Sequence, residues 1–246
     1  MKVFCNEFMK IKNTIHSNFT SFDNTISITT LYQKLNKVRI KEESIQIIRG
    51  AGLSYAPASF GQNVLVRDFK QFNRILEFDA KQKTVIVESG ITLKKLLEWS
   101  FKEKLFFPIM PGFPEITIGG CIASNVHGKN PLKDGTCKEH LIWLEVYHPK
   151  IGFQKVKPSS EIFDATCGGL GLTGIITKVK LQLQHLPSDK IKIVPKKAYS
   201  LKDAIQIIQE NKNADIVYSW HNGSTSMDFE KGIVRVGTFE KDYNIR

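Results

Sequence analysis

PGFPEITIGGCIASNVHGKN, Pro111–Asn130, is the least ordinary piece of the chain. Pro111-Gly112 marks a tight turn. Ile116-Thr117-Ile118 is too short and too apolar for a solvated loop. Gly119-Gly120 removes the side chains from two successive positions, and Cys121, Ala123 and Ser124 keep the next turn slim. The run ends in His127-Gly128-Lys129-Asn130, where two side chains able to carry positive charge flank a glycine. A backbone stripped of side chains lets its N–H groups approach a flat or anionic ligand. A cationic pair at the exit can meet a negative group or a hydride-accepting centre. The same residues also read as a glycine-rich crossing between sheets, and residue chemistry alone leaves both readings open.

Upstream, Thr30–Ile40 has helical spacing, and Ser44–Arg49 reads as a strand running into Gly50-Ala51-Gly52-Leu53-Ser54-Tyr55. A dinucleotide fingerprint fails there: Tyr55 stands where the third glycine belongs, and Pro57 interrupts the helix that should follow. Asn63–Val66 and Lys83–Glu88 read as further strands, with Phe69–Ile75 a turn or short helix between them. Thr92–Lys104 is the clearest helix, with Leu93, Leu96, Leu97 and Phe101 on one face and lysines and glutamates on the other. Such a face packs on its own sheet or lies on a membrane. Downstream, strands are expected at His140–His148, Gly152–Lys157 and Gly174–Gln184, with a short helix at Ser160–Cys167. Pro187-Ser188 looks like a boundary. Ser200-x-x-Asp203 then opens a helix, and strands follow at Ile216–His221 and Gly232–Thr238. The expected fold is α+β in two packed lobes. The expected division is an N-terminal segment at 1–28, a main domain at 29–187 and a further unit at 188–246.

The 246 residues are 41% hydrophobic and 24% charged, an ordinary globular balance, with a net charge of +11. That charge favours anionic partners. No stripe of basic residues interleaved with aromatics stands out, so nucleic acid is not an expected partner. There is no apolar run of transmembrane length, and Met1–Phe19 has no sustained apolar core of a signal peptide, so the expected location is cytoplasmic. Of the four cysteines, none form C-x-x-C, and Cys137-x2-His140 beside Cys121 and His127 matches no familiar zinc spacing. No metal is expected.

HGKN preceded by PG-x4-T-[IV]-GG resembles the flavin-binding stretch of the decaprenylphosphoryl-β-D-ribose 2'-oxidase family. That family belongs to the vanillyl-alcohol oxidase superfamily, whose FAD-binding domain is called PCMH-type. The resemblance is collinear from Ile48 to Pro187 and rests on three glycine-rich segments: RGAGLSY, PG-x4-TIGG through HGKN, and CGGLGLTGII. It implies FAD as cofactor. Arg49, Gly50, Ala51, Gly52, Leu53, Ser54 and Tyr55 would cradle its pyrophosphate. Gly112, Thr117, Ile118, Gly119 and Gly120 would pass along the flavin, and Ile176 would lie against it. His127, Gly128, Lys129 and Asn130 would approach the isoalloxazine and the substrate, with His127 and Lys129 in the catalytic roles. His140 also matches a family histidine and reads as structural.

In covalent flavin oxidases of the superfamily a histidine in the first loop bonds the flavin. Leu53 stands there, which implies non-covalent FAD. Cys121 and Ser124 depart from the common residues, and PKIG at Pro149–Gly152 replaces the usual Asp-Gly hairpin turn. Members of the resembled family continue well beyond the position of Arg246, with a late lysine and tyrosine at the reacting face, so residues 188–246 resemble only the start of a substrate (cap) domain. The implied activity is oxidation of a sugar CH–OH, the 2'-hydroxyl of a polyprenyl-phosphate ribose. Two alternatives stand beside it: a sugar-lactone or alditol oxidase, against which HGKN argues, and a non-catalytic FAD-binding fragment or subunit that needs a separate cap chain. The implied partners are the sugar substrate, a chain completing the cap or a reductase, and a peripheral contact at the inner face of a membrane.

Overall fold

The computed structural model describes residues 46–54, 59, 65–223 and 231–240. The segment 1–28, the helix expected at Thr30–Ile40, and Tyr55 lie outside the described residues.

The first lobe opens with β1 (Gln46–Arg49), paired in parallel with β2 (Leu65–Asp68), two residues later than the spacing implies. Phe69 and Phe72 then fold back, ring centroids 4.6 Å apart, and pack with Ile48 and Ile175. The tight return here requires Gly90: a Cβ on it would lie 1.7 Å from the Phe69 carbonyl oxygen. β3 (Ile75–Asp79) was not expected, because Glu77 and Asp79 break the apolar alternation of an edge strand.

β4 (Thr84–Glu88) is β-branched and buries Val85 and Val87. Its last residue, Glu88, is wholly buried and binds Arg74 three times: Nη2 at 2.7 Å, Nε at 2.8 Å and the backbone N–H at 2.9 Å. The carboxylate raises the pKa of the Arg74 guanidinium through this hydrogen bond and its charge. Arg74 is half exposed and can rehydrate if Glu88 is removed. Glu88→Ala is therefore expected to cost about 2–3 kcal/mol, the range of a hydrogen-bonded charge rather than of a stranded one. A shift of the urea midpoint at unchanged slope checks it.

α1 (Leu93–Ser100) starts on Thr92, whose Oγ1 accepts the Lys95 N–H. Leu93 and Leu96 sit in the main core, and Trp99 meets Phe78 edge-on at 5.0 Å, so the apolar stripe covers the sheet of its own lobe. The helix stops before the expected Lys104 because the chain turns there, with Lys104 at φ 57°, which leaves Phe101 exposed. A short β5 (Leu105–Phe106) follows, and then α2 (Ile118–Ala123) and α3 (Pro131–Asp134).

After a 3₁₀ turn at Cys137–His140, β6 (Leu141–His148) and β7 (Gly152–Val156) form the expected hairpin. Gly152 at φ 86° does the work of the missing Asp-Gly. α4 (Glu161–Thr166) is capped by Ser160. β8 (Ile175–Gln182) runs through the middle of an antiparallel sheet of order β3-β4-β8-β6-β7, and its Thr177, Val179 and Leu181 are buried. β9 (Gln184–His185) pairs with β5.

The remaining residues form a three-stranded antiparallel sheet, β10 (Ile191–Ala198), β11 (Ile216–His221) and β12 (Gly232–Phe239), in the order β10-β12-β11. β10 was not expected, since Pro195 and three lysines interrupt its pattern; Pro195 is tolerated because the strand is at an edge. α5 (Leu201–Glu210) is capped by Ser200, whose Oγ accepts the Asp203 N–H, while Asp203 accepts the Tyr199 N–H. The helix covers Ala198, Val217, Val234 and Val236. Trp220 and Ile233 lie on the opposite face and are exposed.

Candidate functional site

The three glycine segments meet at α2. Thr117 caps this helix, its Oγ1 accepting the Gly120 N–H at 3.2 Å, and the Ile118 and Gly119 amides donate to Ile91 and Ser89. The N–H groups of Ile118–Gly120 are thus engaged within the protein and do not remain for a ligand, contrary to the simplest reading of Gly119-Gly120. The glycines instead allow close approach: a Cβ on Gly119 would lie 3.0 Å from Ser89, and one on Gly50 would lie 2.2 Å from Thr117 Oγ1. The third segment is pinned across the other end of α2, with Gly168 N–H on the Ile122 carbonyl and Leu170 N–H on that of Ala123, both at 2.9 Å. Between them lies a cleft walled by Ile48, Gly50, Phe69, Ser89, Thr117, Gly119, Gly120, Leu170, Gly171 and Gly174–Ile176. Of the predicted residues, Gly50, Thr117, Gly119, Gly120 and Ile176 meet here. Ile118 turns wholly into the main core. Phe69, Ser89 and Ile175 were missed, since nothing in a turn phenylalanine or a lone serine marks it as a cleft wall.

The loop after β1 has a different character. Gly52 holds φ 65°, and its missing Cβ leaves room for the Arg49 guanidinium, which would otherwise lie 2.6 Å from it. Among the described residues, no protein acceptor takes the amides of Gly50, Ala51, Gly52, Leu53 or Ser54. Successive N–H groups that no described residue engages, beside a guanidinium, are donors of the kind an anion can use. Leu53 and Ser54 are exposed.

Gly112, His127, Gly128, Lys129 and Asn130 form a second group. The chain leaves α2 with the Val126 N–H on the Cys121 carbonyl. Gly128 is buried where it crosses Pro108–Met110, and a Cβ there would lie 3.0–3.2 Å from their backbone. His127 is exposed, with Nδ1 3.0 Å from the Gly128 carbonyl oxygen. Lys129 is half-buried: Nζ sits 4.7 Å from the Tyr218 ring centroid and faces Gly112, whose added Cβ would be 3.7 Å away. Arg235 stacks on Trp220 at 5.0 Å. Asn130 is fully buried, and its amide donates to the Lys212 and Ala214 carbonyls rather than towards the cleft. Tyr218 and Trp220 share one face of β11, and nothing in the sequence ties that face to Lys129.

His140 lies with Nε2 2.7 Å from the Asp134 carbonyl oxygen and its ring edge-on to Phe107. Burial pushes the Cys121 thiol up to about 12 and that of Cys167 to about 11, and raises Cys137 as well. These thiols are protonated at neutral pH and are poor ligands or nucleophiles. Among the described residues no group of three or more His, Cys, Asp or Glu is placed to hold a metal ion. No helix among them is long and apolar enough to cross a membrane.

Residues 38–150 match the family described as FAD binding domain. The chain is 30% identical over 176 residues to decaprenylphosphoryl-beta-D-ribose oxidase of Mycolicibacterium smegmatis (strain ATCC 700084 / mc(2)155), covering 70% of this chain and 38% of that one. It is 31% identical over 152 residues to D-lactate dehydrogenase of Archaeoglobus fulgidus (strain ATCC 49558 / DSM 4304 / JCM 9628 / NBRC 100126 / VC-16), covering 58% and 34%. It is 28% identical over 168 residues to L-gulonolactone oxidase 5 of Arabidopsis thaliana, covering 64% and 28%. The chain thus spans 28–38% of the length of these curated relatives. Among solved structures, an alkyldihydroxyacetonephosphate synthase superposes with a TM-score of 0.69 at 15% identity, over 86% of this chain and 45% of that one, which shows a shared fold. The fold is the PCMH-type FAD-binding fold, FAD is its cofactor, and residues 38–150 carry an FAD binding domain.

Proposed function

We propose that this chain is the FAD-binding portion of an oxidoreductase that oxidises a sugar CH–OH, with the 2'-hydroxyl of a polyprenyl-phosphate ribose as the position oxidised. The observation that carries the reading is the Arg49–Ser54 loop: no described residue accepts from the Gly50–Ser54 amides, the Arg49 guanidinium lies against Gly52, and Gly50 walls the glycine-lined cleft. A dinucleotide's pyrophosphate fits such a loop, and a flat ring system fits walls without side chains. When bound, FAD supplies a hydride acceptor. The chain's own residues bind and orient. Gly50 and Thr117 hold the loop against α2, and Ile176 supplies apolar contact. Lys129, steadied on Tyr218, offers an ammonium to an anionic or hydroxyl-rich ligand, and the exposed His127 can orient a substrate oxygen. The substrate class is taken from the similarity to the ribose oxidase and from the HGKN segment.

Leucine has no nucleophile, so with Leu53 in the loop the cofactor is non-covalent. Acid precipitation of the FAD-loaded chain should release yellow cofactor into the supernatant; flavin retained in the pellet would overturn that. Protein that stays colourless after reconstitution would overturn the cofactor site. For the substrate, a short-chain prenyl-phosphate ribose should perturb the bound-flavin spectrum where D-lactate and L-gulonolactone do not. The reverse order of response would assign a different donor.

A further inference from the structure

We infer that Asn130 is a positioning residue, a latch that fixes Lys129 to the three-stranded sheet, and not a contact to the cofactor. This rests on the reading that Lys129 faces the ligand. Asn130 precedes Pro131 at the start of α3, the place where asparagine is a favoured cap. Its side chain makes no cap hydrogen bond. Nδ2 instead reaches the Lys212 carbonyl at 2.9 Å and the Ala214 carbonyl at 2.5 Å, in the loop between α5 and β11. Two carbonyl acceptors require the NH₂ end there, so the partners fix the orientation of the amide. Oδ1 is left buried without a partner, a cost that capping would have removed.

The contacts around it join the same two segments. The Val217 N–H donates to the Lys129 carbonyl at 2.9 Å. Lys133 pairs with Asp215 at 2.6 Å, and the other Asp215 oxygen accepts the Phe239 N–H at 2.9 Å. Lys129 Nζ lies on Tyr218, one residue beyond Val217. Among these the Asn130 amide is the fully buried member, shielded from water and salt, whereas the Lys133–Asp215 pair is partly exposed. Only a neutral donor of this length satisfies two carbonyls at once without placing a charge inside the junction.

The test compares Asn130→Asp with Asn130→Ala in the FAD-loaded chain. Aspartate is nearly isosteric but turns a carboxylate towards two carbonyls, so a latch predicts that it is the worse of the two. The readout is the acetylation rate of Lys129 by an N-hydroxysuccinimide ester, followed by peptide mass spectrometry. The rate should rise at least ~5-fold in Asn130→Asp, and less in Asn130→Ala, through local opening of the junction. FAD content should stay unchanged. Glu88→Gln, which weakens a contact elsewhere, should leave the rate at the wild-type value and so excludes a general loss of stability. Wild-type labelling in Asn130→Asp would overturn the latch. Loss of FAD with Lys129 still protected would overturn it too and return Asn130 to the cofactor. Should Asn130→Asp not fold, Asp215→Asn must raise the labelling rate in its place, and no rise there would overturn the proposal. No substrate enters the assay, so its outcome is separate from that of the substrate assignment.

Discussion

Gly50→Ala should lose FAD while the fold persists. The added Cβ would lie 2.2 Å from Thr117 Oγ1, inside any real contact distance. Thr117 cannot swing away freely, because its Oγ1 caps α2 through the Gly120 N–H and its backbone bridges to Thr92. Either the cap breaks or the loop lifts out of register with the cleft. Overpacking of this kind costs about 1–3 kcal/mol, and if the loop bears that cost the affinity for FAD falls about 10- to 100-fold. The measurement is flavin absorbance during titration, with circular dichroism to show that the sheets remain. A second substitution gives the argument its sharper form. Thr117→Ala removes the obstructing atom, so the double variant Gly50→Ala/Thr117→Ala should bind FAD better than Gly50→Ala alone. Additive losses would show that the two positions do not collide and that Gly50 acts otherwise.

That contact also shows where reading the sequence stops. Gly50, Thr117, Gly119 and Gly120 were named through the family resemblance of three collinear glycine segments, and they line one cleft. Their physical reason was not legible. Gly119 and Gly120 are small so that α2 can lie against Ser89 and its own cap, and their amides are engaged there. Among the described residues, the amides without a protein acceptor in this region are those of Gly50–Ser54. The strands with strong β-branched runs, such as Thr84–Glu88, were found within a residue. β3 and β10 were missed because both lie at sheet edges, where only one side pairs and charge or proline is admitted. α5 covers Val217 and Val236, whereas Trp220 and Ile233 are open to solvent. Strand alternation separates those two sets, but the side a helix will cover is a tertiary fact. For the same reason Asn130 was grouped with its neighbours in HGKN, although its amide points across the junction.

Lys129→Ala should separate cofactor binding from ligand binding. Lys129 lies outside the glycine cleft and rests on Tyr218, so the Arg49–Ser54 loop and the cleft walls keep their shape without it. FAD affinity is expected to change less than ~3-fold, the scale of a lost cation–π contact of about 0.5 kcal/mol at a partly exposed site. A prenyl-phosphate ribose has more to lose. A hydrogen bond from an ammonium to an anionic or hydroxyl oxygen contributes about 1.5–3 kcal/mol, so its dissociation constant should rise about 10- to 100-fold. Lys129→Met keeps the stem over Tyr218 and removes only the charge. If charge is what matters, it should match Lys129→Ala for the ligand, and if packing matters it should resemble the wild type. Lys129→Arg keeps both the charge and the stacking on Tyr218 and should recover most of the affinity. The measurement is ligand titration followed by the bound-flavin spectrum, at two salt concentrations, since a lost charge also flattens the salt dependence. Flavin lost from Lys129→Ala, with ligand affinity unchanged in the fraction that retains it, would place Lys129 on the cofactor and leave the ligand to the exposed His127.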